Sequence, residues 1–177
     1  SDTLTVRIHT APSAAVGSYG PVTVGSSVSF DAGGSSDDGS IAGYDWDFGD
    51  GSPHGTGSTA SHSYSSAGTY TVTVTVTDDD GATDSESTTI IVHAAPVADA
   101  QASQSDFHPA AGTPVTVSFD GSGSSDDGSI ASYQWDFGDG SSLEFGETVS
   151  HQYPGASAVY LVTLTVADNY GVTDSET

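Results

Sequence analysis

This sequence predicts an all-β chain made of two similar sandwiches, on three observations. A long segment is written twice: "SFDAGGSSDDGSIAGYDWDFGDGS" at residues 29–52 returns as "SFDGSGSSDDGSIASYQWDFGDGS" at residues 118–141. Apolar and polar residues alternate strictly in "YTVTVTVT" at residues 70–77, the period of a strand with one buried face. Gly 22 in 177 residues, with abundant Ser and Thr and few good helix formers, suits short strands joined by tight turns.

The elements follow in order along the chain. The opening segment "SDTLTVRIHTAP" (residues 1–12) alternates at Leu4, Val6 and Ile8 and duplicates "SESTTIIVHAAP" at residues 85–96, where the first repeat ends. Val28 and Phe30 form one face of a strand. After the Ser-rich loop, Tyr44, Trp46 and Phe48 form another, stopped by Gly-Asp-Gly, in which glycine supplies positive φ and Asp50 locks the turn. "SHSY" at residues 61–64 precedes the long strand at residues 69–77. The second repeat gives the same order, with Tyr133, Trp135 and Phe137, the Asp139 turn, and "SHQY" at residues 150–153. It halts at "TDSET", where its last strand should begin. A few short strands, close-set turns and one buried Trp per repeat describe an immunoglobulin-like sandwich.

Charge limits the partners. Asp+Glu 24 against Lys+Arg 1 gives a formal net charge of −23, a density that salt or cations must screen. Nucleic acid and anionic membrane surfaces both call for a basic footprint and are excluded. Cys 0 removes thiol catalysis, disulfides and thiolate zinc sites. No apolar run reaches membrane-spanning length, so membrane insertion is not expected.

The spaced pattern "SSDDGSI", "Y-x-W-D-F-G-D-G", "H-x-Y", "Y-x-V-x-x-x-V-x-D" and a closing Gly resembles the PKD (polycystic kidney disease) domain family, twice and over nearly the whole chain. The family's common "SSDPDGSI" loop is one residue shorter here. The resemblance implies two tandem PKD domains at residues 12–94 and 95–177, with residues 1–11 an orphan terminal strand and the second domain lacking its last strand. Two explanations stay open. The chain is a piece of a longer tandem array, or Leu4, Val6, Arg7 and Ile8 form an assembly strand that completes the second sandwich of another copy. Strand addition of this kind satisfies an exposed edge and an open apolar groove together, and a head-to-tail contact that does not close a ring gives a filament. Arg7, the sole Arg or Lys, lies on that strand.

Some PKD-like domains of secreted enzymes bind calcium through an aspartate loop and a strand-end aspartate. The resemblance therefore implies calcium sites at Asp37, Asp38 and Asp78 and at Asp126, Asp127 and Asp168. Short Asp-rich turns suit a cation that takes six to eight oxygens at about 2.3–2.6 Å. The EF-hand pattern fails, since Thr89 stands where its last Glu ligand belongs. The alternative for each carboxylate is a turn cap in water. Trp46 and Trp135, ringed by Tyr44, Phe48, Tyr133 and Phe137, are expected in the cores, which leaves them no sugar to stack on. His62 and His151 are expected as packing residues. No nucleophile elbow or metalloprotease helix is present, and no enzyme is expected.

The expectation is a non-enzymatic extracellular structural protein, a surface-layer or filament subunit assembling with itself or with neighbouring repeats of a longer chain. The resemblance and the acidity together point to a prokaryotic source, an archaeon of saline water. The alternative is an accessory module of a secreted hydrolase or adhesin that binds polysaccharide or protein.

Overall fold

The computed structural model describes residues 4, 8–106 and 112–177. The chain divides into two compact units, Ser1–His93 and Ala94–Thr177, a boundary one residue before the expected one and with the leading segment grouped into unit 1. Every regular element among the described residues is a strand.

Unit 1 contains β1 (Val22–Thr23), β2 (Ser27–Asp31), β3 (Ile41–Asp47), β4 (Gly55–Thr56), β5 (Thr59–Ser63), β6 (Gly68–Asp78) and β7 (Thr83–His93). They form a five-stranded sheet, β1-β7-β6-β3-β4, and the pair β2-β5. Unit 2 contains β8 (Gln101–Ala102), β9 (Val115–Asp120), β10 (Ile130–Asp136), β11 (Glu144–Phe145), β12 (Thr148–Tyr153), β13 (Thr163–Asp168) and β14 (Thr173–Glu176). Its sheets are β11-β10-β13-β14 and β12-β9-β8.

Alternation sets the cores. In unit 1 the inward residues Val28, Phe30, Trp46, Phe48, Val72, Val74 and Val76 are buried, while the threonines between the valines of β6 face outward. Phe30 packs between Trp46 and Phe48, with centroids 5.9 and 5.7 Å away. Phe119 repeats this in unit 2 against Trp135 and Phe137, at 5.5 and 5.3 Å. Tyr44 and Tyr133 pack half-buried at the margin of their cores. Gly49 and Gly138 follow the core strand with φ of 77° and 70°. A Cβ on either would sit 2.3 Å from a backbone carbonyl oxygen, that of Thr71 or Leu161, so both glycines are needed twice over.

The units differ at their first strand, β1 pairing parallel with β7 and β8 antiparallel with β9, and at their closing strand. In unit 1, β6 pairs with β7 along its whole length, from Gly68↔Val92 to Thr77↔Thr83, and the last turns of β7 bury Ile90 and Val92. In unit 2, β13 begins only at Thr163, and β14 covers Thr173–Glu176 alone. Val162, the counterpart of the fully buried Val72, is consequently only half-buried.

Candidate functional site

The twice-written octapeptide is framework. Each indole N–H donates to a backbone carbonyl, Trp46 to Gly57 at 2.9 Å and Trp135 to Gly146 at 3.0 Å. Tyr64 and Tyr153 donate to the carbonyls of Phe48 and Phe137 at 3.0 and 3.1 Å, and burial pushes both phenols up to about 12. His62 stacks on Phe48, with centroids 4.2 Å apart and planes 6° apart, and meets the edge of Tyr64. Its Nε2 lies 2.8 Å from Asp50 Oδ2, while Asp50 Oδ1 accepts from Ser52 N. His151, Phe137, Tyr153 and Asp139 repeat every one of these contacts. The packing role of the histidines and the turn-locking role of the aspartates are thus two halves of one clamp. Only their shared recurrence in both repeats hinted at that link in the sequence.

The clamp predicts an acid sensitivity. Burial alone would raise the Asp50 carboxyl, but hydrogen bonds from Ser52 and His62 outweigh it and hold the group down at about 2. Asp139 is held low by Ser141 and His151. A depressed folded pKa stabilises above the ordinary aspartate value of 3.8, and the gain disappears as pH falls through about 2. Thermal melts from pH 5 to pH 2 should therefore show a loss of midpoint that is smaller in an Asp50→Asn, Asp139→Asn double variant.

The six carboxylates expected to hold calcium are all engaged as caps. Asp37 Oδ2 accepts from Gly39 N at 2.8 Å, and Asp126 Oδ2 from Gly128 N at 2.9 Å. Asp38 Oδ1 accepts from the Thr10 amide and hydroxyl, Asp127 Oδ1 from the Ala94 amide. Asp78, 3% exposed, takes the amides of Asp80 and Ala82 on Oδ1, and Asp168, 2% exposed, takes those of Tyr170 and Val172. Facing the loop instead is Asp79, whose Oδ1 accepts from Ser40 N beside Gly39, with Asn169 in its place in unit 2. Asp84 and Asp174, which sequence reasoning missed, anchor the leading segments by accepting from the amides of Ala14 and Ala98. Among the described residues no three His, Asp or Glu side chains stand close enough to share an ion. One oxygen each of Asp37 and Asp126 is nonetheless buried without a hydrogen-bond partner.

Residues 158–162 of unit 2 correspond to residues 68–72 of unit 1, which pair with residues 88–92 of β7; the equivalents of 88–92 would come after Thr177, and no strand pairs with 158–162 among the described residues. Val159 and Leu161 are exposed, at 92% and 72%. Beside these residues a cleft is lined by Trp135 with Ala100, Gln101, Ala102, Phe119, Val162, Glu176 and Thr177. In unit 1 the counterparts of Phe119, Trp135 and Val162 are Phe30, Trp46 and Val72, and there Ile90 packs with them. Of the expected assembly strand, Leu4 and Ile8 are exposed, at 91% and 85%, and Leu4 and Ile8 belong to no strand. Val6 and Arg7 lie outside the described residues.

Comparison with known proteins agrees with this anatomy. The family profile described as PKD domain matches residues 9–92 and again 93–177. The chain is similar to the PKD1 domain of Vibrio anguillarum Epp, at 42% identity over 48% of this chain and 96% of that one, with a TM-score of 0.42. It is similar to the PKD1 domain of the Vibrio cholerae metalloprotease PrtV, at 42% identity over 47% and 98%, with a TM-score of 0.39. An I-band fragment of titin, 13% identical over 95% of this chain and 65% of that one, shares the fold at a TM-score of 0.52. With both repeats matched almost end to end, the chain belongs to the PKD domain family.

Proposed function

We propose that the protein is a non-enzymatic structural module of the cell exterior that assembles head to tail, residues 3–9 of one copy adding as a strand to unit 2 of the next. Residues 1–12 repeat the segment 85–96 that closes unit 1 over the buried Ile90 and Val92, and that duplication carries this reading. An unpaired edge with an apolar groove is the surface that strand addition recognises. The acidic surface, at net −23, keeps such assemblies soluble in salt and dispersed from one another. Sedimentation velocity tests it: the full chain should form species larger than a monomer that grow with concentration, and a chain lacking residues 1–10 should stay monomeric.

The 42% identity to PKD1 domains, one of them from a metalloprotease, favours a second reading as an accessory module of a secreted hydrolase or adhesin. Such a module would stay monomeric at every concentration and would sediment with an insoluble polysaccharide or protein substrate.

Calcium belongs to the proposal through the two partnerless oxygens of Asp37 and Asp126. Calcium should raise the melting midpoint, and Asp37→Asn with Asp126→Asn should remove the rise. Asp78→Ala separates the capping role from ligation. As a cap it costs about 2 kcal/mol or more, because two amides lose their acceptor. That loss should be the same in calcium and in chelator, and a loss seen only in calcium would make Asp78 a ligand.

A further inference from the structure

Resting on the accessory-module reading, we infer that the outer face of the β11-β10-β13-β14 sheet in unit 2 binds a neutral polysaccharide, with Phe145 as the ring on which a sugar stacks. Directly opposed residues of neighbouring antiparallel strands share a face. Trp135 points into the core, so Gln134 beside it points out, and Phe145 stands opposite Gln134. The same row continues through Thr165 and Ser175, whose hydroxyls lie 2.8 Å apart. Phe145 is 68% exposed and Leu143 is 44% exposed. Glu144 between them turns to the other side, its Oε1 3.8 Å from His151 Nδ1.

Unit 1 shows what is particular about this corner. It carries Asp45, His54 and Thr56 where unit 2 has Gln134, Leu143 and Phe145. Asp45 and Thr56 are opposed as Gln134 and Phe145 are. His54 Nδ1 lies 2.7 Å from Asp45 Oδ2, which puts His54, and Leu143 by equivalence, on the outer face. Every one of these differences removes charge or polarity at the same spot. Asp136 is left as the one carboxylate on this face among the described strand residues, and its Oδ1 already accepts from Gly138 N. Two exposed apolar side chains on a face stripped of charge, in a chain of net −23, mark a contact surface.

Charge then selects the partner. A cation is better served by Asp45 and Asp47 of unit 1, and an anion is repelled by the whole chain. Sugar rings fit what remains, with apolar ring faces against Phe145 and Leu143 and hydroxyls against the Gln134 amide, which both donates and accepts. The Thr165–Ser175 hydroxyl pair keeps a free donor and acceptor capacity for the next ring. Strands about 4.8 Å apart carry these groups away from Phe145 in even steps, which suits a linear chain rather than a single sugar.

Pull-down of the full chain on insoluble cellulose and on chitin tests the inference. Phe145→Ala should lower retention about tenfold, and Gln134→Asp, which restores the unit 1 residue, should lower it as well. Thr56→Ala in unit 1 should change nothing. Melting midpoints equal to that of the parent chain would separate lost contact from lost fold, and retention should not respond to salt, since no ion pair is involved. Undiminished retention of the Phe145→Ala chain would overturn this face as the site and leave the accessory-module reading standing. Retention that falls as salt rises would overturn the uncharged contact. Retention on gelatin beads in place of either polysaccharide, lost with Phe145→Ala, would overturn sugar as the occupant. Retention on none of these materials would remove both the inference and the reading it rests on.

Discussion

Trp135→Ala should cost unit 2 about 3–5 kcal/mol, the range for removing a large aromatic from a packed interior. The indole is fully buried, touches Phe119 and donates to the Gly146 carbonyl, so its loss opens a cavity and strands an acceptor. The same change at Trp46 should weaken unit 1 by a similar amount. Their consequences for assembly should differ. Trp46 is sealed in a core that includes Ile90 and Val92 of β7, whereas Trp135 lines the cleft beside the strand that the proposed donor would join. Trp46→Ala should therefore lower one melting transition and leave multimers in place at moderate temperature. Trp135→Ala should lower the other and abolish multimers. Calorimetry and sedimentation of the two variants side by side check both halves.

Deleting residues 1–10 has the second large effect. Unit 1 gains the burial of Ile90 and Val92 from its own closing strand, each side chain worth about 1.5–3 kcal/mol. In the proposed assembly, Val6 and Ile8 of another copy would give unit 2 the same gain. Without the segment, unit 2 should melt more than about 10 °C lower, at roughly 4–8 °C for each kcal/mol lost in a domain of this size. A synthetic peptide of residues 1–12 should restore the midpoint, and one with Val6→Asp should not, because the carboxylate would stand unpaired at the position where unit 1 buries Ile90. An unchanged midpoint in the deleted chain would show that the edge gains nothing from this segment.

Much of the fold was legible because the chain states it twice. Period-two alternation marked β6 from Tyr70 to Val76 and fixed its buried face. The octapeptide marked β3 and β10 and the glycines with positive φ that end them. The two-residue strands β1, β4, β8 and β11 escaped, since pairing of that length follows from neighbouring strands rather than from local pattern. For the carboxylates, composition was a poor guide to geometry. A run such as Asp78-Asp79-Asp80 looks like one cluster on paper, yet β6 ends at Asp78 and the turn that follows sends its neighbours apart. Asp78 turns inward onto the amides of its own turn, Asp79 toward Ser40, and Asp80 toward His9. The cleft lined by Trp135 needed coordinates.

The central claim, that a strand like residues 3–9 completes unit 2, is tested most directly by amide hydrogen exchange at residues 159–162. Slow exchange there in the assembled full chain, fast exchange after deletion of residues 1–10, and slow exchange again with the added peptide is the result this account predicts. Equal exchange rates in all three samples would contradict it.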